Sequence, residues 1–389
     1  MPLAAPLRRI EAISNERHNL KGLPVLSTLI AGKRNTGVPL PFCGETALCD
    51  SVGGLRDLAA KRADLSFTFQ GVRVSIASNW PSFLRLAWMN HAHFPGDASP
   101  AESLDAEVKL ERKPWLPGRP APTTSTTGDR IWGGGVSSDG DRVRFHSGAI
   151  EIDYRDGPAA TVRATYLMDR RTRLSKWYRH VPPWEESQRL LRLGIHIPLF
   201  HRLELRGIAM LHAAAVATSK GAIIFVGLNG SGKSSLCSRL VGPFRYMSDN
   251  FALWDGERIL GFPEAMRLPA LDGLRVQAGS PVVFGKQVVP VGPSRIAFDA
   301  KPRAVFVLVR GASTALTPLP ASEALRMVRR IHDMTHEFPS HTFLGPIATP
   351  QDPDRVATLL GAAPAFLLTM SHPDVAAKLV LDRFAPGRP

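Results

Sequence analysis

One stretch of the sequence has residue types suited to holding phosphate groups, in the pattern G-x-x-x-x-G-K-S that begins at Gly227. Glycines at Gly227, Gly230 and Gly232 let backbone N–H groups approach phosphate oxygens without a Cβ in the way. Lys233 supplies a full positive charge for the β- and γ-phosphates, and the Ser234 hydroxyl is a ligand for the magnesium ion that accompanies ATP. The predicted nucleotide-binding residues are Gly227, Leu228, Asn229, Gly230, Ser231, Gly232, Lys233, Ser234 and Ser235.

The segments on either side of this glycine-rich loop are the ones that would position it. Residues 222–226 form a short continuous apolar run typical of a buried strand, and residues 235–241 have the pattern of a helix that begins at the loop. A helix start offers unpaired N–H groups and a partial positive charge to an anion. This context favours a nucleotide site over the alternative, a glycine-rich turn that carries an exposed lysine.

Two further side chains near the loop could take part in proton transfer. His212 lies in LHAAAV, on the apolar strand that precedes the loop, and Asp249 follows Lys233 by sixteen residues in YMSDN. A hairpin is predicted directly after Asp249, with its turn at Asp255 and Gly256. A carboxylate can accept the proton of a hydroxyl group, and a nearby histidine can orient that carboxylate or shuttle the proton.

The order of these elements resembles that of the HPr kinase/phosphorylase superfamily: a strand that carries a histidine, a second strand, the glycine-rich loop, a helix, a Ser-Asp pair and a hairpin. The match is nearer to its stand-alone HPr-kinase-related proteins, in which LHAAAV precedes the loop and SDD follows it, and it spans about Arg206 to Pro269. The resemblance implies a phosphoenolpyruvate-carboxykinase-like core and transfer of the γ-phosphoryl group of ATP to a hydroxyl acceptor. It assigns proton abstraction to Asp249, with His212 and Lys233 as the other catalytic residues.

The chain departs from this family pattern at Asn250, which stands where the relatives have their second acid. An amide can coordinate magnesium through its carbonyl oxygen but brings no negative charge. Two assignments therefore stay open: Asn250 is a neutral magnesium ligand beside Ser234, or Asp249 is itself the ligand and no base remains. Lys286 and Arg310 are weaker candidates for stabilising the transferring phosphate.

The composition is that of a soluble globular protein long enough for two domains, with 389 residues, 44% hydrophobic and 21% charged. No run of eighteen apolar residues predicts a membrane span, and the first residues do not have the pattern of a secretory signal. The three cysteines, Cys43, Cys49 and Cys237, complete neither a disulfide framework nor a zinc site. These features predict a cytoplasmic protein with no membrane partner.

The net charge of +14 raises the hypothesis of a nucleic-acid partner. The charge is divided equally between residues 1–200 and residues 201–389, which argues against a dedicated basic tail. The densest basic run, from Arg170 to Arg179, contains Trp177 and Tyr178, and such a run can bind single-stranded nucleic acid. Most basic runs are solvated surfaces, so nucleic acid is not the favoured partner.

The pattern of elements divides the chain into three parts. Residues 1–60 are predicted to be an N-terminal extension, residues 61–200 a sheet-rich α+β accessory domain, and residues 201–389 the α/β nucleotide-binding domain. A hairpin over residues 65–76, a helix after Pro81, a buried central strand at residues 304–310 and a last helix capped by Ser371 are expected. Residues 114–129, rich in Pro and Thr, are predicted to be a mobile loop.

These features lead to three functional hypotheses. The first is an ATP- and magnesium-dependent kinase that acts on a hydroxyl group of a peptide, a protein serine or a small molecule. The second is a nucleotide-dependent regulatory module in which Asn250 marks weakened catalysis, and the third is a nucleic-acid-dependent NTPase. Self-association as a homo-oligomer is left open.

Overall fold

The computed structural model describes residues 63–91, 93–94, 102–112, 135–147, 149–168, 183–269, 282–334 and 353–385. The predictions for the N-terminal extension, for the loop at residues 114–129 and for the basic run at residues 170–179 fall outside these residues. Within them the protein has a mixed α/β fold, as the sequence predicts at this level. None of the helices in the described ranges is both long and apolar enough to cross a bilayer.

The N-terminal part of the described chain forms a seven-stranded sheet. Its strands are β1 (Ala63–Phe69), β2 (Val72–Ser78), β3 (Glu102–Arg112), β4 (Gly135–Asp139), β5 (Arg142–Ser147), β6 (Ile150–Arg155) and β7 (Ala159–Met168). They lie in the order β1-β2-β3-β7-β6-β5-β4, and among the described pairings of this sheet β2–β3 and β3–β7 are parallel and the others antiparallel. The predicted first hairpin is confirmed, because β1 and β2 pair antiparallel and the pairing closes at Phe69 and Val72.

A continuous helical segment covers this sheet and leads into the second half of the chain. Helix α1 (Pro81–His91) follows β2 as predicted, and α2 (Pro183–Leu191) continues through a π-helical turn (Arg192–His196) into α3 (Ile197–Leu205). These helices and the sheet enclose the first hydrophobic core, which also includes Phe262 from the later part of the chain. The two halves of the molecule therefore share one core.

The second half contributes the remaining strands and helices. The strands are β8 (Ala209–Thr218), β9 (Gly221–Val226), β10 (Arg245–Ser248), β11 (Phe251–Trp254), β12 (Ile259–Gly261), β13 (Met266–Pro269), β14 (Val282–Val283), β15 (Lys286–Val289), β16 (Asp299–Ala300), β17 (Pro302–Arg310), β18 (Ala315–Leu319) and β19 (Ala365–Met370). The helices are α4 (Lys233–Leu240), α5 (Ala321–Met334), α6 (Pro353–Ala362) and α7 (Pro373–Phe384). A 3-10 turn lies at Pro293–Arg295.

Nine of these strands form one sheet in the order β16-β12-β11-β8-β9-β17-β19-β18, with β10 pairing to β8. Strands β9, β17 and β19 run parallel, so their carboxyl ends meet at one edge. Strand β17 is buried over residues 304–309, which confirms the predicted central strand. The predicted hairpin after Asp249 is confirmed as well, because β11 and β12 pair antiparallel.

Helices pack on both faces of the nine-stranded sheet, which places a hydrophobic core on each side. Residues of α4 and α7 contribute to one core, and residues of α5 and α6 contribute to the other. The prediction that Ser371 caps the last helix is wrong. The cap is His372, whose Nδ1 accepts a hydrogen bond from the backbone N–H of Asp374 at 3.4 Å, whereas the Ser371 hydroxyl lies 2.8 Å from that of Thr314.

A small three-stranded sheet, β13-β15-β14, completes the described fold. Its pairing sets Arg267 opposite Val288 and Pro269 opposite Lys286. Because side chains alternate along a strand, Arg267 and Lys286 lie on the same face of this sheet.

Candidate functional site

The glycine-rich loop lies at the edge where the parallel strands end. It connects β9, every residue of which is buried, to the first residue of α4. Ligand sites of open α/β sheets form at this edge, because the loops that follow parallel strands meet there. The sequence prediction of a strand, a loop and a helix at this point is confirmed.

Two glycines of the loop are required by its geometry. Gly232 has φ +100°, and a Cβ there would overlap Cε of Met370 at the end of β19. A Cβ on Gly227 would lie 2.6 Å from Oγ of Ser231 and 3.1 Å from the backbone oxygen of Leu308. The loop therefore folds tightly against the strand ends, and its backbone stays accessible to a ligand where a side chain would block it.

Lys233 folds back over the loop. Its side chain is almost inaccessible to solvent, and Nζ donates hydrogen bonds to the backbone oxygens of Gly227 at 2.6 Å and Leu228 at 3.2 Å. Arg310, the last residue of β17, donates from Nε to the Gly230 oxygen at 3.3 Å. Both cations thus lie against the loop, and the roles in phosphate binding that the sequence suggests for Lys233 and, more weakly, for Arg310 stay predictions.

Asp249 lies in the turn after β10 and is 1% exposed. Its Oδ2 accepts a hydrogen bond from the backbone N–H of Arg267 at 3.4 Å, and its Oδ1 has no hydrogen-bond partner among the described residues. Burial raises the pKa of this carboxyl, while the nearby Ser234 hydroxyl and the charges of Arg267 and Lys286 act against the rise. A buried carboxylate with a raised pKa and a free oxygen is suited to accept a proton.

Ser234 is the point at which the loop and Asp249 come together. The hydroxyl on the first turn of α4 is close enough to the carboxylate to influence its pKa, although the two residues are far apart in sequence. One hydroxyl oxygen and one carboxylate oxygen on the same side of the loop are the type of partial ligand set that magnesium takes together with nucleotide phosphates. The residues present therefore fit a magnesium–nucleotide site.

His212, on β8, contacts the loop rather than Asp249 in the contacts that the structure shows. Its Nε2 lies 3.1 Å from Oδ1 of Asn229, and its ring packs edge-on to Phe251 with the centroids 6.3 Å apart. The side chain is 3% exposed. The histidine is thus a support for the loop through Asn229, and its predicted role in orienting Asp249 stays a prediction.

Asn250 contacts a residue for which the sequence analysis predicts no role. Its Nδ2 donates to Oε2 of Glu264 at 3.1 Å, and its backbone oxygen accepts a hydrogen bond from Ala213. Glu264 is 2% exposed. Because a carboxylate accepts hydrogen bonds, this contact turns the carbonyl oxygen of the Asn250 amide away from Glu264.

Arg267 is a second residue that sequence reasoning missed, and it lies with Lys286 on the Asp249 side of the site. Both charges lower the pKa of Asp249. The pairing of β13 with β15 brings Arg267 and Lys286 together, and a single sequence does not show this pairing. The structure thus brings Lys286, predicted as a weak candidate, to the vicinity of the carboxylate.

Three buried oxygens near the loop have no hydrogen-bond partner within the described ranges: Oγ of Ser231, Oγ of Ser248 and Oδ1 of Asp249. Orphaned buried polar atoms are costly and rare, so a group of them points to a ligand that satisfies them. The loop N–H groups and the two serine hydroxyls fit phosphate oxygens, whereas Oδ1 of Asp249 fits a cation or a hydroxyl donor. No group of three or more His, Cys, Asp or Glu among the described residues is arranged to hold a metal by itself.

Cys237, on α4 behind the loop, is fully buried and free. Burial raises the pKa of its thiol well above the ordinary value, and the nearby Asp249 acts in the same direction. A thiol kept protonated in this way is a weak nucleophile. It packs the helix against the sheet.

No protein-family model matches the chain, and no curated protein matches it.

Proposed function

We propose that the protein is an ATP- and magnesium-dependent kinase that transfers the γ-phosphoryl group to a hydroxyl acceptor. The observation that carries the proposal is the position of Asp249: a buried carboxylate with one unpartnered oxygen, close to Ser234 at the end of the glycine-rich loop. A carboxylate at this position can ligate magnesium or accept a proton, and we assign it the second role. Phosphoryl transfer needs a group that receives the acceptor's proton.

In this proposal the loop from Gly227 to Ser235 is a P-loop that holds the phosphates of ATP through its backbone N–H groups. Lys233 would exchange its contacts with the loop carbonyls for the β- and γ-phosphates. Magnesium, when bound, would neutralise the charge that develops on the phosphates, with Ser234 and Asp249 or Asn250 as its protein ligands. The residues of the chain would orient the γ-phosphate towards Asp249.

The chemical step proposed is an in-line displacement. The oxygen of the acceptor hydroxyl bonds to the γ-phosphorus, the bond from that phosphorus to the β–γ bridging oxygen breaks, and ADP leaves. Asp249 takes the hydroxyl proton and later releases it to solvent. The raised pKa of Asp249 supports this role, because a carboxyl group with a pKa nearer neutrality is a stronger base.

We also propose that this region is a phosphoenolpyruvate-carboxykinase-like core of the HPr-kinase-related type. The support is the arrangement of β8, which carries His212, beside β9 and the loop, with Asp249 in the turn before β11. A cytoplasmic location belongs to the same proposal. The free, buried Cys237 supports it, because cysteines kept reduced are usual in that compartment.

A comparison of Lys233→Ala with Lys220→Ala tests the proposal. Lys220 is an exposed lysine in the turn before β9, so its removal controls for the loss of one positive charge. We expect Lys233→Ala to weaken magnesium–ATP binding roughly 10- to 100-fold, the effect of losing a contact to a charged group worth about 1.5–3 kcal/mol. Calorimetry measures binding, and labelled γ-phosphate transferred to a cell extract measures turnover. Equal ATP affinity and transfer in both variants would refute the nucleotide site.

The contact between Asn250 and Glu264 favours one second candidate, a nucleotide-dependent regulatory module with weak catalysis. An amide held by a buried carboxylate brings no charge of its own to the metal. Binding of magnesium–ATP without any transfer of label to an acceptor would favour this candidate over the kinase.

A further inference from the structure

Glu264 is a buried acid that the proposed reaction does not yet use. It lies between β12 and β13, and both its side-chain oxygens are engaged: Oε2 accepts from Asn250 Nδ2 at 3.1 Å, and Oε1 lies 3.3 Å from Nδ1 of His196. The backbone oxygen of Glu264 also accepts a hydrogen bond from the Tyr246 hydroxyl at 2.7 Å. The carboxylate therefore has one hydrogen bond, from Asn250, and one close contact, with His196, while Tyr246 holds the backbone of the same residue.

Two histidines extend this chain of contacts into the core shared by the two sheets. His196, in the π-helical turn, has its Nε2 3.0 Å from Nε2 of His91 at the end of α1, and both rings are fully buried. Burial lowers the pKa of both imidazoles well below the usual value, so both are neutral at neutral pH. The contact from His196 Nδ1 to Glu264 is close but not aligned as a complete hydrogen bond.

The proton positions in this chain are constrained by its ends. A neutral imidazole has one donor and one acceptor nitrogen. If His196 carries its proton on Nδ1, facing Glu264, its Nε2 accepts from His91, and Nδ1 of His91 is left without a proton. This arrangement leaves the Nδ1–H of His196 in close contact with Glu264, whereas the reverse arrangement would leave the Nδ1–H of His91 with no hydrogen-bond partner among the described residues. In the first arrangement the donors of the chain point towards the Glu264 carboxylate.

The same carboxylate fixes the amide of Asn250. An aspartate at position 250 would place a second carboxylate about 3 Å from Glu264 in a buried setting, where two like charges repel strongly. Asn250 and Glu264 are thus complementary. The amide nitrogen of Asn250 donates to Glu264, so the amide oxygen does not face this acid. Asn250 carries no negative charge, but it contacts the carboxylate of Glu264.

We propose that Glu264 is a positioning residue for the magnesium end of the nucleotide site, acting through Asn250. It holds the Asn250 amide so that the amide carbonyl oxygen is available to the cation. His196 lies against Glu264 in turn, and His91 contacts His196. This inference rests on the proposed nucleotide site and adds to it a residue fourteen positions beyond Asn250 in the sequence.

A double-mutant cycle of Glu264→Gln and Asn250→Ala tests the inference. The quantity measured is the affinity for a non-hydrolysable ATP analogue in magnesium divided by its affinity in EDTA, determined by calorimetry. We expect each single variant to lower this ratio roughly tenfold, as for loss of an outer-shell partner of a metal ligand. The double variant should lower it no further than either single one, because Glu264 acts through Asn250.

Glu102→Gln is the control variant, since it removes a carboxylate in the seven-stranded sheet and should leave the ratio unchanged. A parent-like ratio in Glu264→Gln, or additive effects in the double variant, would overturn the inference while leaving the nucleotide site intact. A parent protein that does not bind the analogue would overturn both. If Glu264→Gln does not fold, Asn250→Ala alone decides: a parent-like magnesium dependence in that variant overturns the inference.

Discussion

Two groups of buried polar side chains in this molecule differ in how fully they are hydrogen-bonded. In the seven-stranded sheet, Arg202 from α3 donates to Glu102 at 2.7 and 3.1 Å and to Asp156 at 2.7 Å, and Asp156 also accepts from the Tyr154 hydroxyl at 2.9 Å. We call these four residues the Arg202 cluster. Through the guanidinium of Arg202, the cluster joins α3 to Glu102 on β3 and to Asp156 directly after β6.

Around the glycine-rich loop the opposite is found. Oγ of Ser231, Oγ of Ser248 and Oδ1 of Asp249 are buried without partners in the part of the chain that the structure describes. Leaving such groups unsatisfied costs about 1–3 kcal/mol each. A fully paired cluster needs no ligand to complete its hydrogen bonds, whereas the incompletely paired group beside the loop fits the proposed nucleotide ligand. The polar groups of the Arg202 cluster therefore stabilise the fold, whereas those beside the loop are candidates for binding a ligand.

The largest expected effect is that of Asp249→Asn on phosphoryl transfer. If Asp249 accepts the acceptor's proton, transfer should fall by roughly 10²–10⁴-fold, the usual contribution of a positioned base. ATP affinity should change little, because the variant keeps the size of the side chain. Single-turnover transfer of labelled phosphate and calorimetric binding distinguish the two quantities.

A loss of magnesium-dependent ATP binding in Asp249→Asn would instead identify Asp249 as a metal ligand and remove it as the base. Unchanged binding and unchanged transfer together would refute both assignments.

Substitution in the Arg202 cluster should lower the stability of the protein without changing its nucleotide binding. Arg202→Met removes the cation from two carboxylates that are only about a quarter exposed, and we expect a loss of about 3 kcal/mol in the free energy of unfolding. The nucleotide affinity of the folded protein should be unaffected. Urea unfolding with and without magnesium–ATP measures both quantities. Arg142→Met serves as the control and should cost less, because the Arg142 side chain is 27% exposed whereas that of Arg202 is 9% exposed.

The sequence was sufficient to predict the loop and the elements around it, since each has a local signal. The glycines, the apolar run of β9, the hairpin at β11–β12 and the buried strand β17 are all visible in short windows. The site residues outside these windows depend on tertiary contacts. His91 and His196 are 105 positions apart, and Glu264 meets Asn250 only because β12 and β13 return the chain to the loop.

The dependence on tertiary contacts also explains why the predicted cap of the last helix is wrong and why the domain boundary stays a prediction. Ser371 and His372 are both plausible caps by residue type, and only the backbone geometry shows that His372 is used. The boundary between the two predicted domains at residue 200 stays a prediction, and the helical run that crosses it packs into a core shared by both halves. Local patterns do not show such sharing, because the partners come from distant parts of the chain.

Gly232→Ala and Gly256→Ala form a matched pair that isolates the close packing of the loop. Both glycines have φ near +100°, but a Cβ at Gly256 meets nothing within 4 Å, whereas a Cβ at Gly232 overlaps Met370. Each variant should lose about 1 kcal/mol of stability through backbone strain. Gly232→Ala should lose up to about 1 kcal/mol more, because the buried Met370 must move only its terminal methyl aside, and it should also weaken ATP binding. Equal stabilities and equal ATP affinities of the two variants would contradict the described loop.

The last predicted effect concerns acid stability at the core shared by the two halves. His93 is half-buried, but its Nε2 is inaccessible and has no hydrogen-bond partner among the described residues. Burial lowers the pKa of this imidazole to about 4, while a contact with the backbone of Pro263 acts in the opposite direction. The folded protein therefore holds His93 neutral at pH values where an unfolded chain would bind a proton.

The sign of the pH dependence follows from this difference in proton binding. Below an unfolded pKa of about 6.5 the unfolded state takes up the proton first, so stability falls as the pH is lowered towards 4 and levels off below it. One such histidine contributes a slope of about 1.4 kcal/mol per pH unit, and His91 contributes in the same direction. His93→Phe, which keeps a ring against Phe94, should make the dependence shallower by about that amount. Urea unfolding at pH 7, 6 and 5 measures the slope, and His146→Phe on β5 controls for the loss of an imidazole. An unchanged slope in His93→Phe would show that His93 is not held neutral by the fold.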